Sequence, residues 1–243
     1  MLDDVVKNGV ARLSRDERDA LTAYAARAVW PAGFVIYQRG ASADGVFVVS
    51  RGRVVLRTRV KAGRAFVPTI ATEGETFGVE GLAPNGRYAT DARADEECET
   101  LQLSGTRFRA FLREQPQHAI ALFGQIVAER SVLLEKLREL ATLSVEQRLV
   151  ATLARLSRQG SFTGDDGRIT LGPAQYRLLC ELVGATRESV SLVLGRLVGE
   201  GLAERRGTSV VIAPPSALLG RLESAWSDSG LATVSEVAGD FRA

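Results

Sequence analysis

The pattern of hydrophobic and polar residues changes twice along the chain. Residues 14–28 have apolar positions at helical spacing, and Ser14 followed by Glu17 is the signature of a capping box, so this segment predicts an N-terminal helix. Residues 30–103 contain short β-rich runs separated by glycine-bearing turns, which is typical of an antiparallel jelly roll. After Pro116 the spacing becomes helical again.

One long helix is predicted over residues 116–143, which contain no proline after the first position. At 1.5 Å per residue such a helix extends for roughly 40 Å. Its apolar residues follow a 3/4 spacing interrupted by Arg130, and this length and pattern favour a two-fold coiled-coil seam over a single helix packed on a sheet. The predicted seam consists of Phe123, Ile126, Leu133, Leu137 and Leu140. A homodimer is the expected assembly.

The rest of the chain has the order of a winged helix-turn-helix. Helices are predicted over residues 145–158, 173–183 and 187–200, and the strand-like segment RGTSVVIA follows them. Gly184 supplies the permissive backbone for the tight turn, and Thr186 can cap the next helix.

An α+β protein of four parts is therefore expected. The predicted parts are a β-roll with its N-terminal helix (1–115), a long dimerisation helix (116–143), a winged helix-turn-helix (144–215) and an extension of unassigned role (216–243).

The start of the last predicted helix, 187–200, carries side chains suited to DNA recognition. Arginine donates two hydrogen bonds to guanine and glutamate accepts one from cytosine, so an Arg-Glu pair at a helix N-terminus has a direct base-reading chemistry. The candidates for contacts with bases are Arg187, Glu188, Ser191 and Leu192. The candidates for phosphate contacts are Thr186, Ser189, Tyr176 and Arg206. The alternative is an ordinary helical hairpin with solvated charges, which the turn, cap and strand-like wing together disfavour.

A β-roll, a long helix and a winged helix-turn-helix containing GATRESV resemble, in that order, the CRP/FNR family of bacterial transcription regulators over roughly residues 30–213. The resemblance implies a cyclic-nucleotide-binding-like β-roll and a homodimer that binds a palindrome in double-stranded DNA and contacts RNA polymerase. In that family an Arg-Glu pair and a following Arg read the operator, and the matching positions here are Arg187, Glu188 and Leu192. The leucine is a departure, which implies that one base contact of the family is missing or replaced.

The family's cassette for a cyclic nucleotide is matched only in part by the segment ETFGVEGLAPNGRYATDARA. Arg87 and Ala89 fit the pattern. Tyr88 stands where a small Ser or Thr belongs, and Glu80 is displaced by one residue from the Gly-Glu-Leu pattern. The pocket is therefore interpreted as vestigial or altered.

The family also uses two adjacent hydroxyl residues of the long helix to contact adenine, and the matching positions here are Leu133 and Leu134. Polar groups of adenine left without a partner would cost about 1 to 3 kcal/mol each. We therefore expect that cyclic AMP is not the physiological effector. The dimer then binds DNA without ligand or responds to a different, more apolar molecule; the alternative is a cyclic-nucleotide-responsive regulator of the CRP type.

The amino-acid composition disfavours other classes of protein. Two separated cysteines, Cys98 and Cys180, cannot hold an iron-sulfur cluster, and one histidine, His118, cannot supply the metal site of a cupin-like jelly-roll enzyme. Neither an enzyme nor a cofactor is expected, and carboxylates around Cys98 disfavour a thiol switch. A β-roll interaction module that has lost DNA binding stays open as a further alternative. No signal peptide or apolar run of ~20 residues is present, so a cytoplasmic location without membrane contact is expected.

Overall fold

The computed structural model describes residues 12–59, 65–158, 167–214 and 217–218. Most of the predicted C-terminal extension, residues 219–243, lies outside the described residues, as does residue range 1–11. The described helices are α1 (Arg15–Thr22), α2 (Gly105–Glu114), α3 (Pro116–Thr142), α4 (Val145–Arg158), α5 (Pro173–Val183) and α6 (Arg187–Gly199), with a 3₁₀ turn at Val79–Leu82.

The described strands are β1 (Ala26–Trp30), β2 (Val35–Tyr37), β3 (Gly45–Arg51), β4 (Val54–Arg59), β5 (Ala65–Ala71), β6 (Thr76–Phe77), β7 (Asp91–Ala94), β8 (Cys98–Ser104), β9 (Ile169–Leu171), β10 (Ala203–Arg206) and β11 (Ser209–Ile212). The chain separates into two compact units, residues 1–136 and 137–243. The boundary falls inside α3, so the predicted dimerisation segment 116–143 is divided between the two units. The four-part division of the chain stays a prediction.

The first unit is a β-roll of two four-stranded antiparallel sheets. One sheet has the strand order β1-β8-β3-β6, and the other has the order β2-β7-β4-β5. Their buried faces enclose an aromatic cluster of Tyr37, Phe47, Phe77 and Tyr88. A second buried cluster places Leu21 of α1 and Phe108 and Phe111 of α2 against Val48, Leu101 and Leu103. The predicted antiparallel jelly roll is confirmed.

The N-terminal helix is shorter than the sequence predicts. The capping box is present, because Ser14 Oγ accepts from the Glu17 N–H and a Glu17 carboxylate oxygen accepts from the Ser14 N–H. The helix ends at Thr22, however, and Ala26–Trp30 forms β1. This strand pairs with β8 along its whole length, and Trp30 Nε1 donates to Thr100 Oγ1 at 2.9 Å. Pairing with a distant strand outweighs the helix propensity of this alanine-containing segment.

The second unit packs α4, α5 and α6 with a three-stranded antiparallel sheet of order β10-β11-β9. Its apolar core includes Leu149, Leu153, Leu179, Leu197 and Ile212, each no more than 1% exposed. The predicted order of helices followed by a β-wing is confirmed. The sequence analysis did not find β9, which adds a third strand to the wing.

Both thiols lie in these cores, and we predict that they are inert in the folded protein. Cys98 is fully buried, and burial together with the nearby Glu96 raises the pKa of its thiol to about 11. Burial likewise raises the pKa of Cys180 to about 11. Because the thiolate is the reactive form, a disulfide reagent at pH 8 should modify the unfolded chain fast and the native chain slowly. Fast modification of the native Cys180→Ser variant, whose remaining thiol is Cys98, would contradict this.

Candidate nucleic-acid interface and effector cassette

The turn between α5 and α6 has the geometry of a helix-turn-helix. Gly184 ends α5 with φ of 66°, a conformation that a side chain would strain, and its N–H donates to the Cys180 carbonyl. Thr186 then caps α6, because its Oγ1 accepts from the Ser189 N–H at 3.2 Å. The inner face of α6 is buried through Val190, Val193, Leu194 and Leu197. The opposite face of α6 is therefore left for contacts outside the domain.

This outward face begins with the candidate base-reading residues. Arg187 and Glu188 are exposed, Ser191 is half-buried, and Leu192 is 71% exposed. Beyond them the face carries Gly195, where an added Cβ would meet no atom within 4 Å. The outward face therefore combines two charged groups, a hydroxyl and an apolar side chain, followed by bare backbone.

A groove of about 570 Å³ runs between the start of α6, α5 and the wing. Arg187, Glu188 and Ser191 line one side of it. Tyr176 and the wing residue Arg205 also line it. The structure thus brings three of the four candidate base-reading residues to one concave surface.

The candidate phosphate contacts make hydrogen bonds within the chain. The Thr186 and Ser189 hydroxyls lie 3.0 Å apart, and the Tyr176 hydroxyl donates to the Arg187 carbonyl at 3.5 Å. The guanidinium of Arg187 lies 5.4 Å from the centre of the Tyr176 ring. Tyr176 therefore orients Arg187 at the start of the helix as well as lining the groove.

In the wing, Arg205 lines the groove, whereas the predicted Arg206 pairs with Glu204 at 2.9 Å. The sequence analysis missed Arg205. The alternation of side chains along a strand places neighbours on opposite faces, so the dipeptide Arg205-Arg206 could have indicated that only one of the two faces the groove.

Hydrogen bonds at the start of α6 favour the ionised form of Glu188. Hydrogen bonds from its own N–H and from Thr186 hold the pKa of the Glu188 carboxyl below its usual range. The N-terminus of α6 adds the positive end of the helix dipole beside Arg187. Glu188 therefore remains a carboxylate, able to accept a hydrogen bond, while its surroundings favour an anionic partner.

In the β-roll, the segment between the 3₁₀ turn and β7 holds the candidate effector residues. A carboxylate oxygen of Glu80 accepts from the Ala89 N–H at 3.0 Å, and Arg87 donates to the Gly40 carbonyl at 2.7 Å from an exposed position. The Tyr88 ring is buried, stacked on Tyr37 with ring centres 3.6 Å apart. The donors of this segment thus contact the protein's own acceptors.

A small cavity of about 10 Å³ lies between the β-roll and α3, within the first unit. Its lining includes Glu75, Thr76, Gln125 and Glu129. Burial, followed by the charges of Glu80 and Glu75, raises the pKa of Glu129 to about 6. Glu129 was not predicted from the sequence; it lies one helical turn after the buried Gln125, on the same side of α3.

Helix α3 exposes a run of large apolar side chains. Of the predicted seam residues, Phe123 and Leu137 are 65% and 63% exposed, Leu133 and Leu140 are 40% and 37% exposed, and Ile126 is half-buried. Leu134, assigned above to the altered pocket together with Leu133, is 55% exposed. Ile120 and Val127 are exposed by 78% and 58% and lie on the same side as Phe123 and Leu134.

Two family models match separate parts of the chain. The model of the cyclic nucleotide-binding domain matches residues 27–115, and the model of the Crp-like helix-turn-helix domain matches residues 147–221. The cyclic AMP receptor protein of Thermus thermophilus is 32% identical over 213 residues, which cover 85% of this chain and 92% of that protein. The chain belongs to the CRP/FNR family.

Other CRP/FNR proteins are similar at lower identity. The cAMP-activated global transcriptional regulator CRP of Salmonella typhimurium is 25% identical over 185 residues, 75% of this chain and 87% of that protein. The structure of the c-di-GMP-responsive global regulator CLP of Xanthomonas campestris superposes with a TM-score of 0.72 at 24% identity, covering 82% of this chain and 99% of CLP. The latter likeness concerns the fold alone.

Membership of the CRP/FNR family makes the chain a DNA-binding transcription regulator, and the expectation that it is not an enzyme is confirmed by these relatives. The predicted α+β fold class is likewise confirmed. In the described part of the chain, no helix is both long and apolar enough to cross a membrane.

We predict that the cap of α6 contributes measurably to the stability of this CRP/FNR domain. Removing the hydroxyl in Thr186→Ala leaves the Ser189 N–H without its acceptor and should lower the free energy of unfolding by about 1 kcal/mol. Scanning calorimetry would detect the lower transition temperature. The matched variant Thr186→Ser keeps the hydroxyl and should stay close to wild type; equal losses in both variants would contradict the cap.

Proposed function

We propose that this CRP/FNR regulator binds a palindromic operator as a homodimer, reads it through α6, and does so without cyclic AMP. The dimer presents two copies of α6 to successive major grooves, and the predicted half-site spacing is about one helical turn of DNA. Arg187, Glu188, Ser191 and Leu192 contact bases, and Thr186, Ser189, Tyr176 and Arg206 position the helix on the backbone. Arg205 joins the backbone contacts because it lines the same groove. RNA polymerase is the expected protein partner, and the cytoplasm the expected location.

The exposed apolar side of α3 supports the dimer. Five large apolar residues are each at least 55% exposed along this helix: Ile120, Phe123, Val127, Leu134 and Leu137. Phe123 and Leu137 belong to the predicted seam, the other three widen it, and separations of three, four, seven and three residues are typical of a coiled coil. Burial of a large apolar side chain contributes about 1.5 to 3 kcal/mol. A second copy of α3 covers this surface with matching side chains, which a monomer would leave in water.

A charge introduced into this apolar surface should separate the subunits. In Phe123→Glu two carboxylates face each other across the two-fold axis, so sedimentation velocity should show a monomer. Because the monomer engages one half-site at a time, its affinity for the full operator should fall about 100-fold or more. Gln117→Glu adds the same charge at an exposed position elsewhere on α3 and serves as the control. A Phe123→Glu protein that remains dimeric would contradict the seam.

The proposal that cyclic AMP is not needed rests on the hydrogen-bond donors of the cassette, which donate to acceptors within the protein. A cyclic phosphate needs an arginine together with hydroxyl or amide donors. Here Arg87 donates to Gly40, the Ala89 N–H donates to Glu80, and the Tyr88 hydroxyl donates to the Gly45 carbonyl at 3.3 Å. The Ala89 N–H and the Tyr88 hydroxyl each have a single hydrogen to donate, so they would have to leave Glu80 and Gly45 before they could bind a phosphate.

The space and charge of the cassette oppose a nucleotide as well. The Tyr88 ring, 5% exposed, fills the core against Tyr37 at the position where the family has a small hydroxyl residue. The cavity beside α3, about 10 Å³, has room for about one water molecule. Burial, followed by the charges of Glu80 and Glu75, raises the pKa of Glu129 to about 6, and once Glu129 is ionised its charge repels a phosphate.

Operator binding with and without the nucleotide tests this proposal. The operator is first enriched from a random duplex library by the purified protein, and its dissociation constant is then measured by fluorescence anisotropy. We expect sequence-selective binding without ligand and less than about a twofold change when millimolar cyclic AMP is added, since a ligand that does not bind shifts no equilibrium. Selective binding seen only with cyclic AMP would contradict the proposal and favour the cyclic-nucleotide-responsive alternative.

A further inference from the structure

The outward face of α6 contains one large apolar side chain that the fold does not use. Leu192 is 71% exposed, and no other large hydrophobic residue is exposed among the described residues between Ser144 and Pro214. Isolated exposed leucines are common on protein surfaces. Leu192 differs because it lies beside Ser191 and one helical turn after Glu188, on the side of α6 that faces away from the core.

The surroundings of Leu192 leave it free to meet another surface. Gly195 and Gly199 follow it on the same side of the helix, and a Cβ at either position would meet no atom within 4 Å. Gly195 lies in the helix interior, where glycine costs roughly 0.5 to 1 kcal/mol relative to alanine, and Gly199 is the last residue of α6. The helix is therefore less stable than one with alanine at position 195. Its backbone next to Leu192 is not covered by side chains, so a partner can approach it closely.

The charge around this face identifies the kind of partner. Arg187 and Arg205 line the adjoining groove, and the N-terminus of α6 points toward it, so the surface favours a polyanion. Within the major groove of DNA the base edges carry hydrogen-bonding groups, and the one apolar group among them is the 5-methyl group of thymine. An exposed leucine between base-reading side chains matches that methyl group.

We propose that Leu192 selects thymine at one position of each operator half-site by packing against its 5-methyl group. This inference rests on the proposed binding of the operator through α6. Leucine has no donor for the O6 and N7 acceptors of guanine, so a guanine placed there would lose its water without gaining a partner. The residue therefore favours thymine and disfavours guanine at the same position.

Replacing thymine by deoxyuridine removes this methyl group and leaves every hydrogen-bonding group of the base in place. In the operator enriched by the wild-type protein, each thymine is replaced in turn, in both half-sites together. One symmetric pair of replacements should weaken binding about fourfold per half-site, or roughly 15-fold in all, since one buried methyl group corresponds to about 0.8 kcal/mol.

Variants of Leu192 assign that loss to this side chain. Leu192→Ala should bind the thymine operator more weakly and lose its sensitivity to deoxyuridine at the same pair of positions. Leu192→Met keeps an apolar side chain of similar volume and should keep the sensitivity. Both variants should unfold at the wild-type temperature, because the side chain is exposed.

Two results would overturn the inference, and they differ in kind. If the operator is enriched but deoxyuridine weakens wild type and Leu192→Ala equally at every position, Leu192 contacts no thymine methyl group and the inference is wrong. If no sequence is enriched, operator binding through α6 fails first and the role of Leu192 fails with it.

Discussion

The stack of Tyr88 on Tyr37 is the contact around which the β-roll is organised. The two rings lie 3.6 Å apart and 9° from parallel, and Tyr37 also contacts Phe47 and Phe77. The cluster joins strands of both sheets to the segment that precedes β7. Aromatic pairs of this kind contribute beyond the area they bury, so the position of Tyr88 is fixed by the core. Within the segment that matches the family's nucleotide cassette, the Tyr88 side chain is therefore part of the hydrophobic core.

The DNA-binding unit depends on a different constraint, the rigid start of α6. The left-handed backbone at Gly184 and the cap at Thr186 fix where the helix begins, and Tyr176 contacts the first residue of the helix. Short-range contacts of this kind need no ligand. A helix α6 held in this way, together with a Tyr88 ring that is buried in the core, is consistent with the proposed binding of DNA without cyclic AMP.

Much of this architecture could be predicted because its signals are local. The cap at Ser14, the turn at Gly184 and the apolar face of α6 each depend on residues a few positions apart. Strand β1 could not be predicted, since the state of Ala26–Trp30 is decided by β8, about seventy residues later. The sequence likewise indicated that Tyr88 is too large for a phosphate site, but Tyr37, on which it stacks, lies on a distant strand.

The candidate DNA-binding surface shows the same limit of prediction from sequence. Arg187 and Glu188 were found from the helix pattern alone, whereas the choice between Arg205 and Arg206 depends on the strand pairing of the wing, which sets the face that each presents. The raised pKa of Glu129 likewise depends on its burial and on two distant carboxylates, Glu80 in the 3₁₀ turn and Glu75 just before β6. Residues whose roles depend on long-range neighbours require the fold before their chemistry can be assigned.

We propose that the Tyr88 ring and the Glu80 carboxylate exclude cyclic AMP from the β-roll, and calorimetric titration of cyclic AMP into the wild-type protein tests this proposal. No saturable heat is expected, because the ligand would have to displace a buried ring and a hydrogen-bonded carboxylate. Tight, saturable binding of one cyclic AMP per protomer would contradict it.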